Sequence, residues 1–118
     1  MTFDWSEFYR FAEYLQKDSS FDCQEAVQRT IVSRAYYAAF CMAKETAERK
    51  YKILFKGNGT DHRRICVEYA KRERRDISDA LRELRKFRNM CDYQKDIKNM
   101  HNLTESSLRL SHEIMLQL

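Results

Sequence analysis

The sequence predicts an all-α fold, a bundle of four to five helices with short connections. Proline is absent from the 118 residues and glycine occurs only at Gly57 and Gly59, so the strongest helix breakers are almost missing. Apolar residues recur at three- and four-residue steps along most of the chain, as in an amphipathic helix, and no stretch alternates like a half-buried strand. At this length the chain is expected to form one domain, residues 1–118, with its own core.

The first helix is predicted to begin at Asp4 and to end in the polar stretch KDSSFD. Asp4 and Glu7 have the spacing of a capping box, in which side chains accept hydrogen bonds from backbone N–H groups at a helix start. The residues that follow supply an apolar stripe for burial against a neighbouring helix. This stripe consists of Trp5, Phe8, Phe11, Ala12 and Leu15.

The second helix is predicted to run from Asp22 to about Lys50 and to be the central element, because its alanines allow other helices to approach closely. Tyr36, Tyr37 and Phe40 widen its apolar stripe, so this helix is expected to contact neighbours on more than one side. The two tyrosines can stack on bases, but at this spacing packing in the core or an interface is the expectation. The stripe itself consists of Val27, Ile31, Ala35, Ala38, Ala39 and Met42.

Three further helices are predicted beyond the Gly-Asn-Gly surface turn. Thr60 or Asp61 can cap a third helix that extends to about Arg72, and Asp76 can cap a fourth. A fifth is predicted from about Gln94 to the end of the chain, although no strong breaker separates it from the fourth. The expected buried residues are Ile65, Val67, Tyr69 and Ala70 in the third helix, Ile77, Ala80, Leu81, Leu84, Phe87 and Cys91 in the fourth, and Ile97, Met100, Leu103, Leu108, Ile114 and Leu118 in the fifth.

Composition and charge limit the functional classes. A net charge of +4 permits a nucleic-acid or nucleotide partner, but dedicated DNA-binding proteins usually concentrate more positive charge. No apolar run approaches the roughly 18 residues that a membrane span requires, and the opening MTFDWSEFYR lacks the basic-then-apolar pattern of a secretory signal. A cytoplasmic protein with reduced, half-buried thiols is therefore expected. The four dispersed cysteines are Cys23, Cys41, Cys66 and Cys91.

The stretch LRKFRNMCDYQ, residues 84–94, places five polar side chains inside an otherwise core-forming helical pattern. Arg88 and Asp92 are four residues apart and Arg85 precedes Arg88 by three, so these three are expected to share one helix face. Asn89 and Tyr93, also four apart, are expected on the neighbouring row.

Two interpretations of this stretch are open. In one, it is a solvated face with an Arg–Asp pair that contributes a few tenths of a kcal/mol. In the other, it is a site: a guanidinium offers parallel donors that suit a phosphate, an amide and a phenol can orient a ribose or base, and a carboxylate can fix the arginine.

Two segments resemble HEPN-domain proteins. The segment SRAYYAAF, residues 33–40 on the long second helix, resembles the corresponding segment of that family. The segment LRKFRNMCDY, residues 84–93, resembles the arginine–asparagine motif on the family's penultimate long helix, L-x-x-L-R-x-x-R-N-x-A-D-Y. With the chain length and the order of the two motifs, essentially the whole chain resembles a small, free-standing HEPN protein of the prokaryotic type.

The resemblance implies an up-and-down HEPN-like bundle that pairs as a homodimer, with the Arg-Asn motifs facing a shared cleft. Many members are metal-independent ribonucleases, and some are toxins paired with a small nucleotidyltransferase antitoxin. Arg85 and Arg88 would then bind the phosphate of RNA or a nucleotide, and Asn89 would position the ribose or Arg88. Asp92 with Tyr93 would orient or replace an acid–base group. No cofactor or metal is implied.

The chain departs from the family's catalytic motif at one position. In that motif, four to six residues lie between the arginine and a histidine. Here those positions hold Tyr93, Gln94 and Lys95. Cleavage of RNA by its 2′-hydroxyl needs a general base and acid, which a histidine with a pKa of about 6.5 can supply. Tyr93, with an ordinary pKa of about 10, is a poor base. His101 would lie about two turns further along the same side if the helix is continuous.

The alternatives to a ribonuclease are a non-catalytic module that binds a nucleotide or another protein, and an interaction protein whose polar motif only holds helices together. A metal site is not predicted, because His62 and Cys66 form a lone pair of ligands and no second pair has suitable spacing. The basic run KRERR, residues 71–75, with Arg63 and Arg64, can guide RNA. The acids within and beside this run favour a solvated, salt-bridged face.

Overall fold

The structure, a computed structural model, describes residues 2–118, so Met1 of the predicted domain lies outside the described residues. The described chain is all-helical, which confirms the predicted fold class, and it contains five helices and no strand. The helices are α1 (Ser6–Lys17), α2 (Gln24–Tyr51), α3 (Asp61–Lys71), α4 (Arg75–Tyr93) and α5 (Met100–Gln117).

The long helix α2 is central, as predicted, because it contacts each of the other four helices. Its alanines Ala35, Ala38, Ala39 and Ala43 are fully buried, so neighbouring backbones can approach it closely. The main core cluster joins α2 to α3, α4 and α5 and includes Tyr36, Ile65, Tyr69, Leu81, Leu84 and Ile114. A second cluster joins α1, α2 and α5 and includes Ala12, Leu15, Val27, Ile31 and Leu108.

The start of α1 differs from the prediction. The helix begins at Ser6, and the Asp4 carboxylate accepts hydrogen bonds from the backbone N–H of Ser6 at 3.0 Å and from its hydroxyl at 2.6 Å. Asp4 therefore forms a local turn before the helix, and the predicted capping box is wrong. Phe11, predicted to be buried, is 49% exposed because Ala12 and Leu15 face the core instead.

A buried carboxylate fixes the loop before α3. Asp61 is 2% exposed and accepts hydrogen bonds from the backbone N–H groups of Lys56 at 3.1 Å and Gly57 at 2.8 Å. It also pairs with Lys44 of α2 at 3.1 Å. Neither Thr60 nor Asp61 caps α3 as predicted, since no side chain makes a capping hydrogen bond to the first turn of the helix. The carboxylate instead ties the loop, and with it the first turn of α3, to α2.

The boundary between α4 and α5 is also different. The fifth helix begins at Met100 rather than at Gln94, and Asn99 just before it adopts a left-handed conformation with φ of 58°. The reason lies on α2, where the guanidinium of Arg29 donates to three carbonyl oxygens that would otherwise lack partners at the end of α4. These carbonyls belong to Cys91 at 2.8 Å, Gln94 at 2.6 Å and Lys95 at 3.0 Å.

Smaller corrections concern a cap and several burial predictions. Asp76 does not cap α4, which begins at Arg75, but pairs with Arg74 at 3.1 Å. Val67, predicted to be buried, is 38% exposed. All four thiols are free, but only one is half-buried as predicted: Cys41 is intermediate, Cys23 is exposed, and Cys66 and Cys91 are buried. No helix among residues 2–118 has both the length and the apolar character needed to cross a membrane.

Candidate phosphate-binding groove

An open groove of about 1290 Å³ runs along α4 beside the first turn of α3. Four of the five residues predicted to form a site line this groove, and the fifth, Asp92, does not. Helix α3 contributes His62 and Arg63. Helix α4 and the residue after it contribute Arg82, Arg85, Lys86, Arg88, Asn89, Met90, Tyr93 and Gln94.

The predicted grouping of the polar side chains on α4 needs one correction. Arg85, Arg88 and Asp92 were expected to share a face, with Asn89 and Tyr93 on the row beside it. The groove instead receives Arg85, Asn89 and Tyr93, which are four residues apart and so lie one above another on the helix, together with Arg88. Asp92 points into a smaller neighbouring cavity.

Arg88 is held by bonds on two of its three nitrogens. Its Nε donates to Asp92 Oδ2 at 3.0 Å, and its Nη1 donates to Asn89 Oδ1 at 3.2 Å. Its Cζ lies 5.6 Å from the ring centroid of Tyr36 and 5.4 Å from that of Tyr37, so aromatic rings of α2 support the cation. The carboxylate therefore fixes the arginine, a pairing that both interpretations of this stretch include. Within residues 2–118, Nη2 has no hydrogen-bond partner and is available to a ligand.

The other cations of the groove lack acidic partners. In the part of the chain that the structure describes, no carboxylate oxygen lies within 4.0 Å of the side-chain nitrogens of Arg63, Arg82, Arg85 or Lys86. The lining of the groove includes neither Asp nor Glu. Positive side chains gathered in one cleft repel each other and concentrate anions, so the arrangement suits a negatively charged ligand.

The sequence pattern did not indicate three of the groove's residues, His62, Arg82 and Lys86. Of these, His62 was considered only as half of a metal-ligand pair. Its side chain is buried, with 7% exposure, yet it reaches the groove. Nδ1 lies 2.8 Å from the Tyr36 hydroxyl and Nε2 lies 3.6 Å from the Cys66 sulfur. The four-residue spacing of His62 and Cys66 places both on the inner side of α3, but their contact with α2 depends on tertiary packing that no local pattern shows.

The protonation of His62 follows from its surroundings. Burial, aided by the charges of Arg85, Arg82 and Arg88, lowers the pKa of His62 to about 4, so the ring is neutral at pH 7. Burial also raises the pKa of Tyr36, which remains a phenol and shares a hydrogen bond with Nδ1. A neutral imidazole has one acceptor nitrogen. In the tautomer that carries its proton on Nε2, this acceptor is Nδ1 and Tyr36 occupies it, so His62 then offers no free basic nitrogen to the groove.

Two predictions about the far end of the motif have different outcomes. Tyr93 lies in the groove lining and is 77% exposed, so its ring is accessible to a ligand. His101 lies on α5, is exposed, and has its Nε2 3.9 Å from Glu105. The condition under which His101 would continue the same side, a continuous helix, is not met, because α4 ends at Tyr93 and α5 begins at Met100.

The basic run after α3 is mostly neutralised by local acids, as its composition favours. Lys71 and Arg72 both pair with Glu68, at 3.5 and 2.9 Å. Arg64 donates to the backbone carbonyl of Leu54 rather than to the groove. Of the basic residues considered there, Arg63 lines the groove. Among the described residues, no group of three or more His, Cys, Asp or Glu side chains is placed to hold a metal ion.

Comparisons with known proteins give one distant relative. No family model matches the chain, and no solved structure matches it at a significant level. The chain is similar to the uncharacterized protein MJ0992 of Methanocaldococcus jannaschii, with 30% identity over 112 residues. The match covers 80% of this chain and 63% of the relative, so this chain spans less than two thirds of the relative's length. The name of that protein states no activity, ligand or partner.

Proposed function

We propose that the protein is a HEPN-like helical homodimer that binds the phosphate groups of RNA or nucleotides in the groove along α4. The observation that carries this proposal is the set of groove cations without acidic partners, Arg63, Arg82, Arg85 and Lys86, beside an arginine with a free edge. Charge-assisted hydrogen bonds from guanidinium groups to phosphate are short and strong. The planar fork of a guanidinium also matches the geometry of two phosphate oxygens.

The motif residues divide the work of binding. Arg88, held by Asp92, presents its Nη2 donors to a phosphate oxygen, and Arg85 adds a second guanidinium one helical turn away. Asn89 holds the other side of Arg88 through the 3.2 Å hydrogen bond to Nη1. Tyr93 offers an exposed ring on which a base can stack.

A binding measurement tests the proposal directly. Fluorescence anisotropy with a labelled single-stranded RNA of about ten nucleotides should give saturable binding that weakens as salt is raised. Arg85→Ala and Arg88→Ala should each reduce affinity by about tenfold, because each removes charge-assisted hydrogen bonds to phosphate. Arg109→Ala is the matched control, since Arg109 pairs with Glu113 on α5, a helix that does not line the groove. Equal affinity for all four proteins would refute the site.

The homodimer and its partner are parts of the same proposal. The groove is open and is lined by residues of α3 and α4 and by Gln94, so a second copy can close the cleft with its own Arg88 helix. Sedimentation of the purified protein at micromolar concentration should show a dimer, and a monomer would contradict the shared cleft. If the protein is a toxin, its expression alone should inhibit growth, and co-expression of a small nucleotidyltransferase antitoxin should relieve the inhibition.

A metal-independent ribonuclease is the second candidate, and one observation favours it. A histidine does reach the groove, although it is His62 from α3 rather than a residue of the motif. Proton transfer would require RNA binding to replace the hydrogen bond between His62 and Tyr36. Degradation of RNA in the presence of a chelator, lost in both His62→Gln and Arg88→Ala, would establish this activity. Saturable binding without degradation would establish the non-catalytic module instead.

A further inference from the structure

Arg34 of α2 is a half-buried cation that no acid neutralises in the described part of the chain. Its Cζ lies 4.7 Å from the ring centroid of Phe8 and 5.1 Å from that of Tyr37. Its Nη2 lies 3.3 Å from the hydroxyl oxygen of Ser33. Two aromatic rings hold the planar group in place without cancelling its charge. The guanidinium is therefore preorganised for an anion.

Tyr37 connects this cation to the groove along α4. Its ring centroid lies 5.1 Å from Arg34 Cζ and 5.4 Å from Arg88 Cζ, so the two guanidinium carbons are separated by no more than the sum, about 10.5 Å. Arg34 lines a cavity of about 290 Å³, and the same cavity receives Asp92, the partner of Arg88. The bonded pair of Arg88 and Asp92 thus joins the groove, which Arg88 lines, to the small cavity, which Asp92 lines together with Arg34.

The other donors of this small cavity are already occupied. The Thr30 hydroxyl donates to the carbonyl of Ala26 at 2.8 Å. Arg29 donates to the three carbonyls at the end of α4. Arg34 and Ser33 remain, because Ser33 accepts a bond from Arg34 and keeps its own O–H for a ligand.

We propose that Arg34 and Ser33 form a second phosphate subsite, so that the surface binds ligands with two neighbouring phosphates more tightly than ligands with one. The inference rests on the proposed function, because Arg88 supplies the first subsite. Successive phosphates of one nucleic-acid strand advance about 3.4 Å along a B-form axis and further when the strand is extended. Phosphates that are neighbours or next neighbours, or the two phosphates of a nucleoside bisphosphate, fit within the separation of Arg34 and Arg88.

Titration calorimetry with two small ligands tests the subsite. Uridine 3′,5′-bisphosphate should bind the intact protein about tenfold more tightly than uridine 5′-monophosphate. Arg34→Ala should remove this advantage and leave the affinity for the monophosphate unchanged, whereas Arg88→Ala should weaken both ligands. Arg109→Ala is the charge-matched control and should change neither.

Arg34 also packs against Phe8, so the folding of each variant is checked by circular dichroism. If Arg34→Ala does not fold, two milder variants replace it. Arg34→Lys, which keeps the charge but loses the planar fork, and Ser33→Ala should each remove part of the higher affinity for the bisphosphate. An unchanged advantage in these variants, with Arg88→Ala weakening both ligands, would refute the second subsite and leave the proposed function standing. If Arg88→Ala weakens neither ligand, the proposed function fails and the subsite fails with it.

Discussion

The hydroxyl of Tyr36 lies 2.8 Å from Nδ1 of His62, and the ring of the same tyrosine supports the guanidinium of Arg88. This buried pair joins α2 to α3 directly behind the groove. A proton added to His62 would place a charge in a largely buried position that faces the arginines of α4. The groove and the stability of the bundle are therefore linked through one imidazole.

Stability should fall as the pH drops from about 6.5 to about 4. His62 has a pKa of about 4 in the folded protein and an ordinary value near 6.5 when unfolded, so within this window the unfolded chain binds more protons. The sign follows from this difference. The free energy of unfolding keeps the full contribution of His62 above the pKa of the unfolded chain and has lost it at pH values below the pKa of the folded protein. The lost free energy of unfolding is up to about 3 kcal/mol.

Urea denaturation across that pH window measures the effect. His62→Gln should flatten the slope, because the amide can accept from Tyr36 without titrating. His101→Gln, at an exposed position on α5, should keep the slope of the original protein. An unchanged slope in His62→Gln would show that carboxylates alone set the acid sensitivity.

Removal of Arg29 should destabilise the end of α4. Arg29→Ala leaves the carbonyls of Cys91, Gln94 and Lys95 without their charged donor, and the expected loss is about 2 kcal/mol in the free energy of unfolding. Hydrogen exchange should rise in residues 94–99 before it rises in α2. Arg109→Ala, which breaks an exposed pair on α5, should lose less than about 0.5 kcal/mol. Similar losses in the two variants would mean that water satisfies these carbonyls equally well.

Two buried serines of α5 should respond to alanine with opposite signs. Both are fully buried, but Ser111 donates to the carbonyl of Ala35 at 2.7 Å, whereas the Ser107 hydroxyl has no hydrogen-bond partner within residues 2–118. Ser107→Ala should raise the free energy of unfolding by about 1 kcal/mol, and Ser111→Ala should lower it by about 1–2 kcal/mol. Thermal denaturation distinguishes the two. A loss of stability in Ser107→Ala would reveal a buried water that serves its hydroxyl.

Asp92→Asn should increase the affinity for phosphate. The carboxylate carries a negative charge 3.0 Å from Arg88, and the amide keeps an acceptor for Nε while removing that charge. An increase of about two- to fivefold in RNA affinity is expected, with a stability change below about 1 kcal/mol because the pair is partly exposed. Anisotropy with the labelled RNA measures it. Weaker binding would mean that the charge of Asp92, beyond its hydrogen bond, is needed to orient Arg88.

The fold could be predicted from the sequence because its signals are local. The absence of proline and the three- and four-residue steps of apolar residues identify five helices, and the small residues of α2 identify the central one. The boundary at Gln94 could not be predicted, since the guanidinium that ends α4 comes from Arg29, far away in the chain. The capping box failed for a local reason, because the side chain of Asp4 preferred the nearer N–H of Ser6.

The part of the candidate site on α4 was predictable only within the motif, since Arg82 and Lys86 of the same helix were not singled out. Arg85, Asn89 and Tyr93 lie together because residues four apart align on α4.

The groups contributed by other helices were not predictable as site residues, because His62 is placed by its contact with Tyr36 of α2 and Arg34 by its contact with Phe8 of α1. The sequence pattern favoured packing for the tyrosines of α2 and did not indicate these contacts.

Because the end of α4 depends on Arg29, the motif cannot be moved into another protein as a single helix. A peptide of α3 and α4 alone, residues 61–93, would contain nearly every groove side chain and yet lack the donor that terminates α4 and the two tyrosines beneath Arg88. Placing this groove on a designed scaffold would therefore require a third helix that reproduces positions 29, 36 and 37. The smallest part of the protein that could keep the groove intact is therefore three helices rather than one continuous peptide.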